Sequence, residues 1–190
     1  MHFQSQPIIP TVRTIKDFED LMHRDFPYLI VLESHIGQLP GLLQLARKHD
    51  KKVILHADLV QGLRNDEYGA QFLCQWVKPD GIISTHSSVI TTARKKGLVA
   101  IQRVFLLDSH SLETSYRILQ TSRPDYIEVL PGVIPHVIHE IRERTHLPIL
   151  AGGFIRTQTD IETILQSGAT AVTTSSKNLW DLAKTHDFRA

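Results

Sequence analysis

Two glycines close one apolar run of this sequence, in PILAGG, and a row of hydroxyl residues closes the next, in AVTTSS. Gly152 and Gly153 leave no Cβ between a ligand and the backbone, and their N–H groups can point at an anion. Thr174, Ser175 and Ser176 add hydroxyl donors. The segment TTSSKNLW then leads into a short helix whose free N–H groups and positive dipole end would face the same point. Together these residue types suit a phosphate cradle. The plainer reading makes AGG a tight turn and SSKN a helix cap.

Charged residues at the ends of other apolar runs would line the same mouth. Arg103 stands inside VAIQRVFLLDS, where a buried guanidinium is costly unless paired. Glu128 or Glu33 could pair with it, or it could reach polar groups of a ligand. Asp58, in LHADLVQG, is either a local cap or an acceptor for a ligand hydroxyl. His56 and His86 could carry protons, although an isolated histidine is more often a hydrogen-bonded structural residue. Arg13 also closes a strand. No lysine does so, which leaves the Schiff-base chemistry of aldolase-like barrels without an obvious nucleophile.

The elements that must position these residues repeat regularly. Eight short apolar runs end near Val12, Ser34, Leu59, His86, Leu106, Gly132, Gly153 and Ser176. They are continuously apolar rather than alternating, as parallel strands covered by helices are. Between them, segments such as IKDFEDLM, LPGLLQLARKH and QTDIETILQSG space apolar residues by three and four, the mark of a helix with one buried face. NLWDLAK is a short eighth. Ser109 or Ser111 is the expected start signal of the fifth helix, Pro135 lies in the first turn of the sixth, and Gly97 and Gly168 follow helix ends. Eight such units predict an α/β protein, a compact (β/α)8 TIM barrel with about 22 to 24 residues per unit. An open doubly wound sheet is the rival, but it would carry a Gly-rich fingerprint after its first strand, and none is present. Ligand sites of barrels lie at the carboxyl ends of the strands, with phosphate favouring the seventh and eighth. The polar, Gly-punctuated DLVQGLRNDEYGAQFL reads as a lid or binding loop.

A length of 190 residues suits one domain over 1–190. Hydrophobic residues at 42% and charged residues at 22% are typical of soluble globular chains. The net charge of +1 advertises no polyanion partner. The basic runs RKHDKK, RKKG and RERTH close helices, where they complement the dipole; an RNA contact there is the less favoured reading. The one cysteine, Cys74, falls in an apolar helical run and reads as a buried thiol. No membrane-length apolar run, signal segment or metal-binding spacing appears, so a cytoplasmic protein without metal or cofactor is expected.

The segments HADLVQGLRNDEYGAQFL, VKPDGIIST, IQRVFLLDSHSLETS, PDYIEVLPGVIP, LPILAGGFIRTQTDI and GATAVTTSSKNLWDL, between Val53 and Leu182, closely resemble the glycerol uptake operon antiterminator family, the GlpP-like regulatory proteins. The resemblance implies a TIM barrel that binds glycerol 3-phosphate as an effector. In response it acts on the leader mRNA of glycerol-utilisation genes so that transcription passes a terminator. It implies a phosphate on Gly152, Gly153, Thr174, Ser175 and Ser176, and the glycerol hydroxyls toward Asp58, Arg103, Glu128 and Glu33. Expected partners are the ligand and leader mRNA, with room for a homo-oligomer. Two other classes remain: an isomerase, lyase or synthase acting on a small phosphorylated substrate, and a protein-binding module that has kept a phosphate site.

Overall fold

The computed structural model describes residues 3–183 together with His186 and Phe188. Eight parallel strands close into a barrel: β1 (Ile8–Val12), β2 (Tyr28–Val31), β3 (Lys52–His56), β4 (Gly81–Ser84), β5 (Val99–Phe105), β6 (Tyr126–Leu130), β7 (Ile149–Gly152) and β8 (Ala171–Thr174). Neighbours in the ring are neighbours in sequence, and closure pairs β1 with β8, Pro10 lying opposite Thr174.

Among the described residues eight α-helices cover the outside: α1 (Ile15–Met22), α2 (Leu39–Lys48), α3 (Glu67–Phe72), α4 (Ser87–Lys95), α5 (Ser109–Ser122), α6 (Pro135–Thr145), α7 (Gln158–Gln166) and α8 (Lys177–Leu182). The residues of NLWDLAK end inside α8 except for Ala183, its cap, and Lys184, which lies outside the described residues.

The continuous apolar character of the strands follows from burial on both faces. Ile9, Ile30, Ile54, Ile83, Ile101 and Leu150 point into the barrel, while Ile8, Leu29, Val53 and Ile82 meet the helices. Phe3 plugs the floor of the barrel, with its ring edge-on to Tyr28 and Tyr126 at centroid distances of 5.0 and 4.8 Å. Each fully buried side chain of this size contributes about 1.5–3 kcal/mol.

Helix starts are capped by short polar side chains: Thr14 on α1, Asp66 on α3 and Thr157 on α7. The cap of α5 is Asp108, not either serine expected from the sequence. Its carboxylate accepts the Ser111 amide at 2.7 Å, while the Ser111 hydroxyl accepts the Asp108 amide at 3.0 Å, a reciprocal box. Two further departures affect the surface. α3 continues into a π turn, Leu73–Val77, which ends at Lys78 in the left-handed region at φ 55°. Cys74 lies within this turn and is half-buried rather than enclosed. The DLVQG segment is not a free lid, because Val60–Gln61 pairs in parallel with Ser34–His35, lacing the loops after β2 and β3 together over the mouth.

Candidate functional site

At the carboxyl ends of β6, β7 and β8 the chain encloses a cavity of about 280 Å³. Arg103, Glu128, Gly153, Thr174, Ser175 and Ser176 line it, joined by Arg13 from the end of β1. Six of the nine residues expected at a ligand site therefore meet in one place. The sequence marks Arg13 only as a strand terminus; barrel closure sets β1 beside β8 and so brings it in.

The charges of the cavity are in different states. Arg103 and Glu128 are buried, their side chains 10% and 1% exposed, and Arg103 Nε donates to Glu128 Oε2 at 2.7 Å. Thr173 Oγ1 donates to the other carboxylate oxygen at 2.9 Å. A buried ion is tolerated when it is both paired and hydrogen-bonded, and this pair meets both conditions. Of the two carboxylates that could pair with Arg103, the structure selects Glu128; Glu33 pairs instead with Arg13. Both members of that second pair are about half-exposed, at 56% and 49%.

The two glycines serve different ends. A Cβ on Gly152 would overlap Thr173 Oγ1 and come within 3.6 Å of Glu128 Oε1, so this glycine makes room for the buried hydrogen-bonded pair. It does not line the cavity. Gly153, at φ 81°, takes a conformation that L side chains rarely adopt and turns the chain so that its backbone faces the cavity. Thr174 Oγ1 accepts the Ser176 amide at 3.1 Å, and the Thr174 carbonyl accepts Trp180 Nε1 at 2.8 Å. These bonds fix the turn that presents Ser175 and Ser176.

Asp58 and Glu33 lie elsewhere. Asp58 accepts the Ser84 hydroxyl, the Thr85 amide at 2.8 Å and the Thr85 hydroxyl at 2.7 Å, with His86 Nδ1 at 3.4 Å. Burial would push its carboxyl up, but these hydrogen bonds outweigh burial and hold it below the usual range. It serves as a cap for the turn after β4. Glu33 faces a neighbouring cavity of about 450 Å³ between the loops after β1 and β2, with Ser34, His35 and Gln61. Arg13 lines both cavities and forms the wall between them.

His56 is buried at the end of β3, and among the described residues neither ring nitrogen has a hydrogen-bond partner. Burial, reinforced by the nearby Arg103 charge, lowers its pKa to about 4. It is therefore an uncharged ring at neutral pH.

No helix among the described residues is long and apolar enough to cross a membrane. A family model described as "Glycerol-3-phosphate responsive antiterminator" matches residues 8–180. An uncharacterized protein of Escherichia coli, YgcP, is 30% identical over 181 residues, 95% of each chain. Among solved structures, a glycerol uptake operon antiterminator regulatory protein from Listeria monocytogenes is similar at a TM-score of 0.93 and 43% identity, over 95% of this chain and 98% of that one. A glycerol uptake operon antiterminator-related protein from Thermotoga maritima follows at 0.81 and 28%, over 92% and 97%. An aldolase at 12% identity and a TM-score of 0.72 shares the barrel fold alone. With nearly the whole barrel covered by the family model, the chain belongs to the glycerol-3-phosphate responsive antiterminator family.

Proposed function

We propose that this protein senses glycerol 3-phosphate and, in response, acts on the leader mRNA of glycerol-utilisation genes in the cytoplasm, without consuming the ligand. The observation that carries the ligand reading is the small cavity in which one arginine is neutralised and another is free to exchange partners. In this reading the phosphate rests on the Gly153 N–H and the hydroxyls of Ser175 and Ser176. Arg13 supplies the compensating charge, because Arg103 is already spent on Glu128. The glycerol hydroxyls then face the Arg103–Glu128 pair, whose fixed charges offer both a donor and an acceptor. Asp58 and Glu33 make no direct contact with the ligand.

A sensor is favoured over an enzyme because both oxygens of Glu128 are engaged, and neither His56 nor any lysine lines the described cavity. Ligand binding shifts a conformational equilibrium only by its differential affinity for the two states. Calorimetric titration with glycerol 3-phosphate is the first test: binding without turnover is expected, and no heat at millimolar ligand would remove the reading. Retention of leader transcript on a filter should depend on the ligand. Equal retention with and without it would remove the switch.

A further inference from the structure

The outer face of α3 and of the π turn that continues it carries aromatic side chains that no core explains. Tyr68 and Trp76 are 70% and 78% exposed, and Phe72 is 37% exposed. The π turn aligns them. Four residues in an α-helix advance about 40° past a full turn, whereas four in a turn of i→i+5 bonds fall about 30° short. The step from Tyr68 to Phe72 is α-helical and the step from Phe72 to Trp76 runs through the π turn, so the two offsets nearly cancel. Without the π turn Trp76 would rotate away from Tyr68 along the helix.

Cations end this helix and its two neighbours. Arg47 and Lys48 end α2, Lys78 follows the π turn, and Lys95 and Lys96 end α4, all exposed. These elements lie together: Arg47 Nη2 donates to the Lys78 carbonyl at 2.7 Å, α2 meets the π turn, and α4 packs along α3. Among the described residues none of the four lysines has a carboxylate within ion-pair distance. The helix dipole explains cations at helix ends. It does not explain an exposed tryptophan among them.

We infer that this face, at the foot of α2, α3 and α4, binds single-stranded RNA, with unpaired bases stacked on Trp76 and its aromatic neighbours and the lysines on the phosphates. The inference rests on the RNA reading above and assigns that RNA a surface. Aromatic platforms beside a basic groove are how unpaired strands are held, and Trp is the strongest partner for a stacked or cationic group. A second copy of the chain fits less well. A twofold contact would set the same lysines against each other, and like charges facing across an interface are repelled.

The test uses the full chain, glycerol 3-phosphate and the leader transcript of a glycerol uptake operon. Trp180 is buried, so a change in tryptophan emission on adding transcript reports on Trp76. Quenching is expected. Trp76→Ala should weaken filter retention by about 5- to 150-fold, with Trp76→Phe in between. Lys95→Glu with Lys96→Glu should weaken retention and reduce the salt slope by about 1.4, at about 0.7 for each phosphate no longer neutralised. All are surface changes, and an unaltered melting temperature confirms the fold. If the wild type retains transcript and these variants retain it equally, the face is wrong while the RNA reading stands. If the wild type retains none, both fall. Trp76 shielded by concentration-dependent self-association, or by phosphatidylserine vesicles but not by transcript, would also overturn the inference.

Discussion

Glu33→Gln should strengthen glycerol 3-phosphate binding, although Glu33 lies outside the cavity. Arg13 stands on the wall between two cavities and in the free protein is paired with Glu33. A phosphate in the β6–β8 cavity competes with that carboxylate for the same guanidinium. With both side chains about half-exposed, the pair contributes about 0.2–1 kcal/mol, so removing the competitor should tighten binding by about 1.4- to 5-fold. The gain should shrink in high salt, which screens exposed pairs. Arg13→Gln should act in the opposite sense. It removes a charged hydrogen bond to phosphate of about 1.5–3 kcal/mol, a loss of about 10- to 150-fold. Calorimetric titration of the three proteins at low and high salt measures all of this. Weaker binding by Glu33→Gln, or unchanged binding by Arg13→Gln, would refute the assignment of Arg13 to the phosphate while leaving wild-type binding intact.

Other perturbations bear on the scaffold. Because His56 has a folded pKa of about 4 against 6.5, the unfolded chain binds more protons between these values. Stability should therefore fall by about 3 kcal/mol as pH drops from 6.5 to 4; urea melts across this range should show it, and His56→Leu should flatten the dependence. Gly152→Ala should cost about 1–3 kcal/mol by overpacking against Thr173. This should lower the melting temperature by about 2–4 °C per kcal/mol and abolish ligand binding through disturbance of Glu128. Glu128→Gln leaves the Arg103 charge buried without its counter-ion and should destabilise the fold by about 3–5 kcal/mol; a change below 1 kcal/mol in denaturant melts would show the pair to be dispensable.

The barrel was legible because each of its levels leaves a local mark. IKDFEDLM coincides with α1, and every barrel strand lies within an apolar run that is largely buried. Features that depend on distant parts of the chain were less legible. Asp58 follows β3 and Glu128 lies within β6, both in apolar runs, yet Asp58 is held by Ser84 and Thr85 at the end of the neighbouring β4, which no spacing announces. Gly152 and Gly153 look alike in sequence, and only the neighbouring Thr173 separates a packing role from a turn. Arg13 carried a usable signal: in a closed barrel the first strand neighbours the last, so the residue after β1 belongs beside the serines after β8. The π turn in FLCQW had no comparable signal, because apolar spacing of three and four continues through it. The pairing of Ser34–His35 with Val60–Gln61 is too short to leave a periodicity.

That pairing makes the two sides of the mouth unequal as material for change. The loop after β6 meets the end of β7 through one backbone hydrogen bond, the Gly132 amide donating to the Gly152 carbonyl, and the turn after β8 is fixed by its own Thr174 and Trp180. The loops after β2 and β3 share backbone hydrogen bonds, and an insertion in one displaces its neighbour. Their amides should open to solvent as a single unit in hydrogen exchange. Transplanting this half of the mouth onto another barrel would require moving both loops together.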